Sequence, residues 1–164
     1  MSYETVQALR DKLYRAAKAD GDRRFHSLRD KLWRPDVLEA AWEKVKRNHG
    51  AYGVDLRSIE QIEAAGVEAF LAGIAQELGQ GTYRAMPLRR VLIPKRGKKG
   101  HRPLSIPTVK DRVVQTACRL VIEPIFEAQF LPNSFGYRTS GHQGNAGKNR
   151  QCRPPRAGRP PAAL

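Results

Sequence analysis

Apolar positions recur at helical spacing along most of the first 130 residues, interrupted once by a stretch with the period of a strand pair. Val6, Leu9, Leu13, Ala16 and Ala17 mark one stripe between Tyr3 and Ala19, which predicts an amphipathic helix ended by Asp20-Gly21-Asp22. Phe25, Leu28, Leu32 and Trp33 predict a second helix over Arg23 to Trp33, with Arg23, Arg24, Arg29 and Lys31 as its solvated face. Such a helical pair is either a docking element or a loose extension. Pro35 suits the first position of a third helix, whose buried stripe is Val37, Leu38, Ala41, Trp42 and Val45 and whose C-terminal cap is Gly50. Ser58 with Gln61 forms a capping box for a long helix carrying Ile59, Ile62, Val67, Phe70, Leu71, Ile74 and Leu78. Gly66 and Gly73 each weaken that helix by about 1 kcal/mol relative to alanine, so packing must hold it.

The pattern then changes period. Val91-Leu92-Ile93 stops at Pro94, and Pro103-Leu104-Ser105-Ile106 follows a loop punctuated by Gly97 and Gly100, which together predict a β-hairpin. Thr108 is placed to cap a further helix, with Asp111 answering it three residues on. Val113, Val114, Ala117, Leu120, Val121, Ile125 and Phe126 continue at helical spacing, and Pro124 is expected to kink or split that helix. Phe126 and Phe130 read as core, whereas Tyr83, Phe135 and Tyr137 are available for stacking on bases.

Charge sharpens this picture. The chain has 164 residues, enough for one modest domain, and a net charge of +14 with a pI near 10.4. An anionic partner follows, nucleic acid before an acidic membrane surface. From Gln80 to Lys110 there is no acidic residue, while Arg84, Arg89, Arg90, Lys95, Arg96, Lys98, Lys99, Arg102 and Lys110 are all basic. A face that served solubility alone would mix signs, so the run points to phosphates. Cys118 and Cys152 lack any metal-ligand spacing, and His26, His49, His101 and His142 are isolated. No apolar run reaches the roughly 18 residues of a membrane span, and MSYETVQALRDK has no signal-peptide core, which predicts a cytoplasmic protein with no membrane partner.

The segments RRVLIPK, RPLSIPTVKDRVVQ, IEPIFEAQFLP and NSFGYR, in that order and spacing, resemble the fingers region of bacterial group II intron-encoded reverse transcriptases and maturases, over roughly Arg34 to Arg138. Pattern and resemblance together predict an α+β fold, mostly helical with a basic β-hairpin, forming an incomplete reverse-transcriptase fingers subdomain, and the composition from Thr139 onward predicts a disordered C-terminal tail. Together they divide the chain into an N-terminal helical extension at 1–34, the fingers region at 35–138 and a disordered basic tail at 139–164. By motif position, Lys95, Arg102, Arg89 and Phe135 match nucleotide-contacting residues, and Arg90, Arg96, Lys98, Lys99, His49 and Gly50 are expected to meet RNA. On the residues alone these cations are either an exposed hairpin surface or phosphate ligands; the linked motifs favour the second. Asn48 to Asp55 resembles a family loop that usually reads NxGxxGxDG and lies against the template, with Leu56 replacing its last glycine; the other reading is a helix connector.

Polymerase chemistry in this family uses Mg²⁺ held by a palm aspartate and a Tyr-x-Asp-Asp turn. The chain contains no Asp-Asp dipeptide, and Asp36, Asp55 and Asp111 sit at helix starts or turns. The expectation is therefore a truncated member of the family that binds no cofactor itself, has no catalytic or metal-binding residues, and retains contacts to RNA, and to DNA primer and dNTP. The Arg/Pro-rich tail GHQGNAGKNRQCRPPRAGRPPAAL reads as translation in a shifted frame. A stand-alone basic RNA-binding protein is the alternative.

Overall fold

The helix that begins after Thr108 is the spine of the chain. In the computed structural model, which describes residues 2–95, 97 and 99–131, the order is α1 (Ser2–Ala19), a 3₁₀ turn (Arg29–Lys31), α2 (Pro35–Arg47), α3 (Ile59–Ala65), α4 (Val67–Gln80), β1 (Arg89–Pro94), β2 (His101–Ile106) and α5 (Val109–Gln129). The chain is thus α+β, helical with one antiparallel two-stranded hairpin. The tail at 139–164 lies outside the described residues.

Helix α5 buries Val109, Val113, Val114, Ala117, Leu120, Val121 and Ala128, a stripe wide enough to take α1 and α2. Helix α2 presents Val37, Leu38, Ala41, Trp42 and Val45 to the same core, and each fully buried Val or Leu side chain among them contributes about 2 kcal/mol. Trp42 meets Phe70 of α4 edge-on, with ring centroids 5.8 Å apart. Helix α1 buries Val6, Leu13 and Ala17 in this core, so the described part of residues 1–34 packs with the region that follows.

Three expectations change on contact with tertiary structure. Arg23 to Trp33 forms only a single 3₁₀ turn, because Phe25, Leu28, Leu32 and Trp33 reach the core from an irregular chain. Arg29 lies over the Trp33 ring at 5.9 Å and donates to the Leu78 carbonyl at the end of α4, at 3.3 Å. The long helix from Ser58 breaks at Gly66, whose φ of 104° no helix accommodates, although the Ser58–Gln61 capping box forms as expected. Helix α5, in contrast, is not split at Pro124. Proline lacks the N–H that would bond Leu120, four residues earlier, and Arg10 of α1 donates to that carbonyl instead, at 3.0 Å. Arg10 also pairs with Glu123 at 2.9 Å, and Lys18 reaches the Ala128 carbonyl, so α1 runs alongside α5 in the same direction.

At the start of α5 the cap is more than a capping box. Thr108 accepts from the Asp111 N–H at 3.1 Å and its hydroxyl donates to the Asp111 carboxylate at 2.7 Å. The Tyr83 hydroxyl donates to the other carboxylate oxygen at 2.6 Å, and the Met86 N–H donates at 3.2 Å. Asp111 is 2% exposed, and three donors compensate for the burial of its charge. Tyr83 is therefore an anchor of the segment leading into β1, not a free stacking ring.

Asp111→Asn keeps the shape but weakens three charge-assisted bonds, and should cost about 2–3 kcal/mol in urea unfolding at neutral pH. Burial, then the bond to Asp111, push the Tyr83 phenol above its ordinary value. Its proton is held more tightly in the folded chain, so this contribution is complete below about pH 10 and is lost as pH rises through the folded value. Tyr83→Phe should remove that part of the alkaline loss of stability, measured as melting temperature against pH.

Candidate nucleic-acid interface

Strands β1 and β2 pair from Arg89 with Ile106 to Pro94 with His101, and the Lys95 N–H closes the hairpin on the Gly100 carbonyl at 3.1 Å. Directly opposed residues share a face and successive residues alternate. Arg89, Val91 and Ile93 therefore lie on one face with Arg102, Leu104 and Ile106; Arg90, Leu92 and Pro94 lie on the other with His101, Pro103 and Ser105. Arg102 faces Ile93 and Arg89 faces Ile106, so the two cations stand four residues apart on one face, about 14 Å along the strand. Gly97 and Gly100 take the positive φ that the turn requires, 69° and 111°. Lys95 and Lys99 are exposed beside it, whereas Arg96, Lys98 and Phe135 lie outside the described residues.

Charge is segregated between hairpin and helices. On the helical body Arg10 pairs with Glu123, Arg34 with Asp36, Lys46 with Glu63, and Lys110 with Glu77 at 2.6 Å. Lys110, grouped by sequence with the phosphate-facing cations, thus belongs to the scaffold. Among the described residues, no acidic side chain pairs with Arg89, Arg90, Lys95, Lys99 or Arg102.

The loop after α2 meets the hairpin at Arg89. Its guanidinium lies over the Tyr52 ring, 4.3 Å from the centroid, and donates to the Tyr52 carbonyl at 3.2 Å. The expected cap at Gly50 is displaced: Asn48 is the C-cap of α2 and exposed His49 takes the positive φ, 42°. Gly50 serves another purpose, since a Cβ there would overlap the Arg112 guanidinium, which donates to the Ala51 carbonyl. Gly53 is more tightly constrained, because a Cβ would come within 2.6 Å of the Thr108 backbone, which cannot swing aside as a side chain can. Burial lowers the Arg112 pKa and Asp55 opposes that shift. Sequence reasoning missed Tyr52 and Arg112; the available signal was the run Lys110-Asp111-Arg112 in a single helical turn. It also placed Phe126 and Phe130 in the core, yet both are exposed, along with Ile122 on the side of α5 turned from the packed stripe.

An α+β unit that holds out a basic hairpin beside a clamped loop is the architecture on which the relatives bear. The chain is 34% identical over 134 residues to the group II intron-encoded protein LtrA of Lactococcus lactis subsp. cremoris, covering 81% of this chain and 22% of that protein. It is 34% identical over 135 residues to the protein YkfC of Escherichia coli (strain K12), 81% of this chain and 35% of that protein. The putative COX1/OXI3 intron 1 protein of Saccharomyces cerevisiae is 31% identical over 105 residues, 63% of this chain and 12% of that protein. No protein-family model matches the chain. The chain belongs to the group II intron-encoded reverse transcriptase/maturase family, and it spans between about a fifth and a third of the length of the two bacterial relatives.

Four of the described carboxylates, Asp36, Glu77, Asp111 and Glu123, are already engaged by donors of the chain itself. Asp111 is filled by its three donors, and Asp36 binds Arg34 through both oxygens and the Val37 N–H through one. Glu77 holds Lys110, and Glu123 holds Arg10 and Arg119.

Leu56, the residue at the family's glycine position, has φ 57° and is 64% exposed. Its Cβ strains a left-handed backbone and it has little packing to lose, so Leu56→Gly should stabilise the chain by up to about 1 kcal/mol, net of glycine's entropy. Leu56→Ala should not, and thermal melts of the two variants check the difference.

Proposed function

We propose that this chain is the RNA- and nucleotide-contacting fingers portion of a group II intron reverse transcriptase/maturase, acting in the cytoplasm and without the palm carboxylates that hold Mg²⁺. The observation that carries the reading is charge segregation: the helical body pairs Arg10, Arg34, Lys46 and Lys110 with acids, while Arg89, Lys95 and Arg102 have no acidic partner among the described residues of an exposed hairpin. Arginine's planar fork suits two phosphate oxygens, and lysine adds a point charge, which together match an RNA backbone or a dNTP triphosphate. Arg90 and Lys99 extend the basic surface to the second face and the tip. Membership of the family supports intron RNA as the polyanion, with primer and dNTP as further contacts.

RNA binding should depend steeply on salt, because each neutralised phosphate releases counterions and lowers log K by about 0.7 to 0.9 per tenfold rise in salt. Replacing Arg89, Lys95 and Arg102 together by alanine should flatten that slope by about two to three contacts' worth and reduce selectivity for structured RNA over heparin. Replacing Arg153, Arg156 and Arg159 should weaken binding to both polyanions alike. If the tail variant abolished RNA binding and the hairpin variant left it unchanged, the hairpin reading would fail. The purified chain should extend no primer on an RNA template with Mg²⁺ or Mn²⁺; template-dependent incorporation would overturn the assignment of its carboxylates to structural work.

A further inference from the structure

We propose that Arg112 is the positioning residue of the basic hairpin face: from α5 it latches the loop between α2 and α3, and through that loop it sets the orientation of Arg89. The inference rests on the RNA-binding reading for its purpose but not for its geometry. Arg112 donates to the Ala51 carbonyl, and the next residue, Tyr52, carries Arg89 on both its ring and its carbonyl. The loop is shaped around this arginine. Gly50 leaves open the volume that the guanidinium occupies, and Gly53 lets the loop backbone lie on Thr108 at the start of the same helix.

The latch carries a cost as well as a gain. Arg112 Nε and Asp55 Oδ1 are both buried without a hydrogen-bond partner. Closing the loop therefore forgoes two hydration sites while it gains the Ala51 bond and the contact on Thr108. The alternative to this closed arrangement, which keeps Tyr52 beneath Arg89, is an opened one in which both atoms regain water. Arg89 is held in one direction in the first and is a freely rotating surface cation in the second.

The test uses the full chain labelled with 3-fluorotyrosine, with the Tyr52 ¹⁹F signal assigned by Tyr52→Phe. Arg89→Ala removes the cation from the ring and moves this signal. Arg112→Ala and Gly50→Ala should move it to the same place, although Gly50→Ala changes no charge, and Arg112→Lys should restore part of the shift. The other tyrosine signals, Tyr83 among them, should stay in place, which separates an opened loop from an unfolded chain. In RNA binding, Arg112→Ala and Gly50→Ala should each weaken affinity about five- to tenfold, the scale of one net hydrogen bond, and neither should cost more once Arg89 is alanine. An unmoved Tyr52 signal in Arg112→Ala and Gly50→Ala would overturn the latch. So would a loss for Arg112→Ala that adds fully to that of Arg89→Ala while Gly50→Ala is silent, since Arg112 would then touch RNA itself. If the Tyr52 signal moves as expected and Arg89→Ala leaves RNA binding intact, the latch stands and the RNA-binding reading of the hairpin falls.

Discussion

A buried carboxylate held by hydroxyl and amide donors, and by no salt bridge among the described residues, fixes the rest of this structure. Asp111 gathers the Thr108 hydroxyl from its own helix start, the Tyr83 hydroxyl from the chain before the hairpin and the Met86 N–H three residues nearer to it. Each donor would be costly to leave unpaired in the same place, and the carboxylate would be costly with fewer donors. The bonds therefore stand or fall together. They clamp both chain segments that enter and leave the hairpin, so the two strands can extend from the helical body with little support of their own.

That arrangement explains why charge on the helices and charge on the hairpin behave differently. A cation on a helix has acidic neighbours within reach, as Arg10 has Glu123 and Lys110 has Glu77. Arg10 is also drawn in by the carbonyl that Pro124 leaves unbonded, so a residue expected to break α5 instead provides the docking point for α1. The hairpin has no acids in its sequence to offer. Its partners among the described residues are aromatic and carbonyl groups of one loop, which orient Arg89 without neutralising it.

Sequence pattern was a good guide wherever local chemistry decides the outcome. The apolar stripe of α2, the strand ends at Pro94 and Ile106, the Ser58 capping box and the Thr108 helix start depend on residues within a few positions of one another. It failed where a distant group takes over a local role. The Arg23–Trp33 segment has a helical pattern, but its aromatic residues and arginines serve α4 and the core as an irregular chain. Gly50 has the composition of a cap and is used as space for a guanidinium sixty-two residues away in sequence. Tyr83 and Lys110 were misassigned for the same reason: their partners, Asp111 and Glu77, cannot be chosen from spacing alone. Residue pattern located the hairpin and the family resemblance singled out the loop, while the contact between them, Tyr52 with Arg89, is visible only in three dimensions.

Lys110, Asp111 and Arg112 show how few residues this coupling needs. Successive side chains on an α-helix point about 100° apart, so three in a row address three directions. Lys110 reaches Glu77 of α4, Asp111 holds the approach to the hairpin, and Arg112 bonds the Ala51 carbonyl of the loop. One helical turn thereby sets the relative positions of three segments that are up to about sixty residues distant from it in sequence. A shift of that turn would move α4, hairpin and loop together. The apolar stripe of α5 makes such a shift costly, because Val109 and Val113 are fully buried within and just beyond the same turn. The face that carries Arg89 and Arg102 thus takes its rigidity from the packed core of α5, passed outward through one carboxylate and one guanidinium.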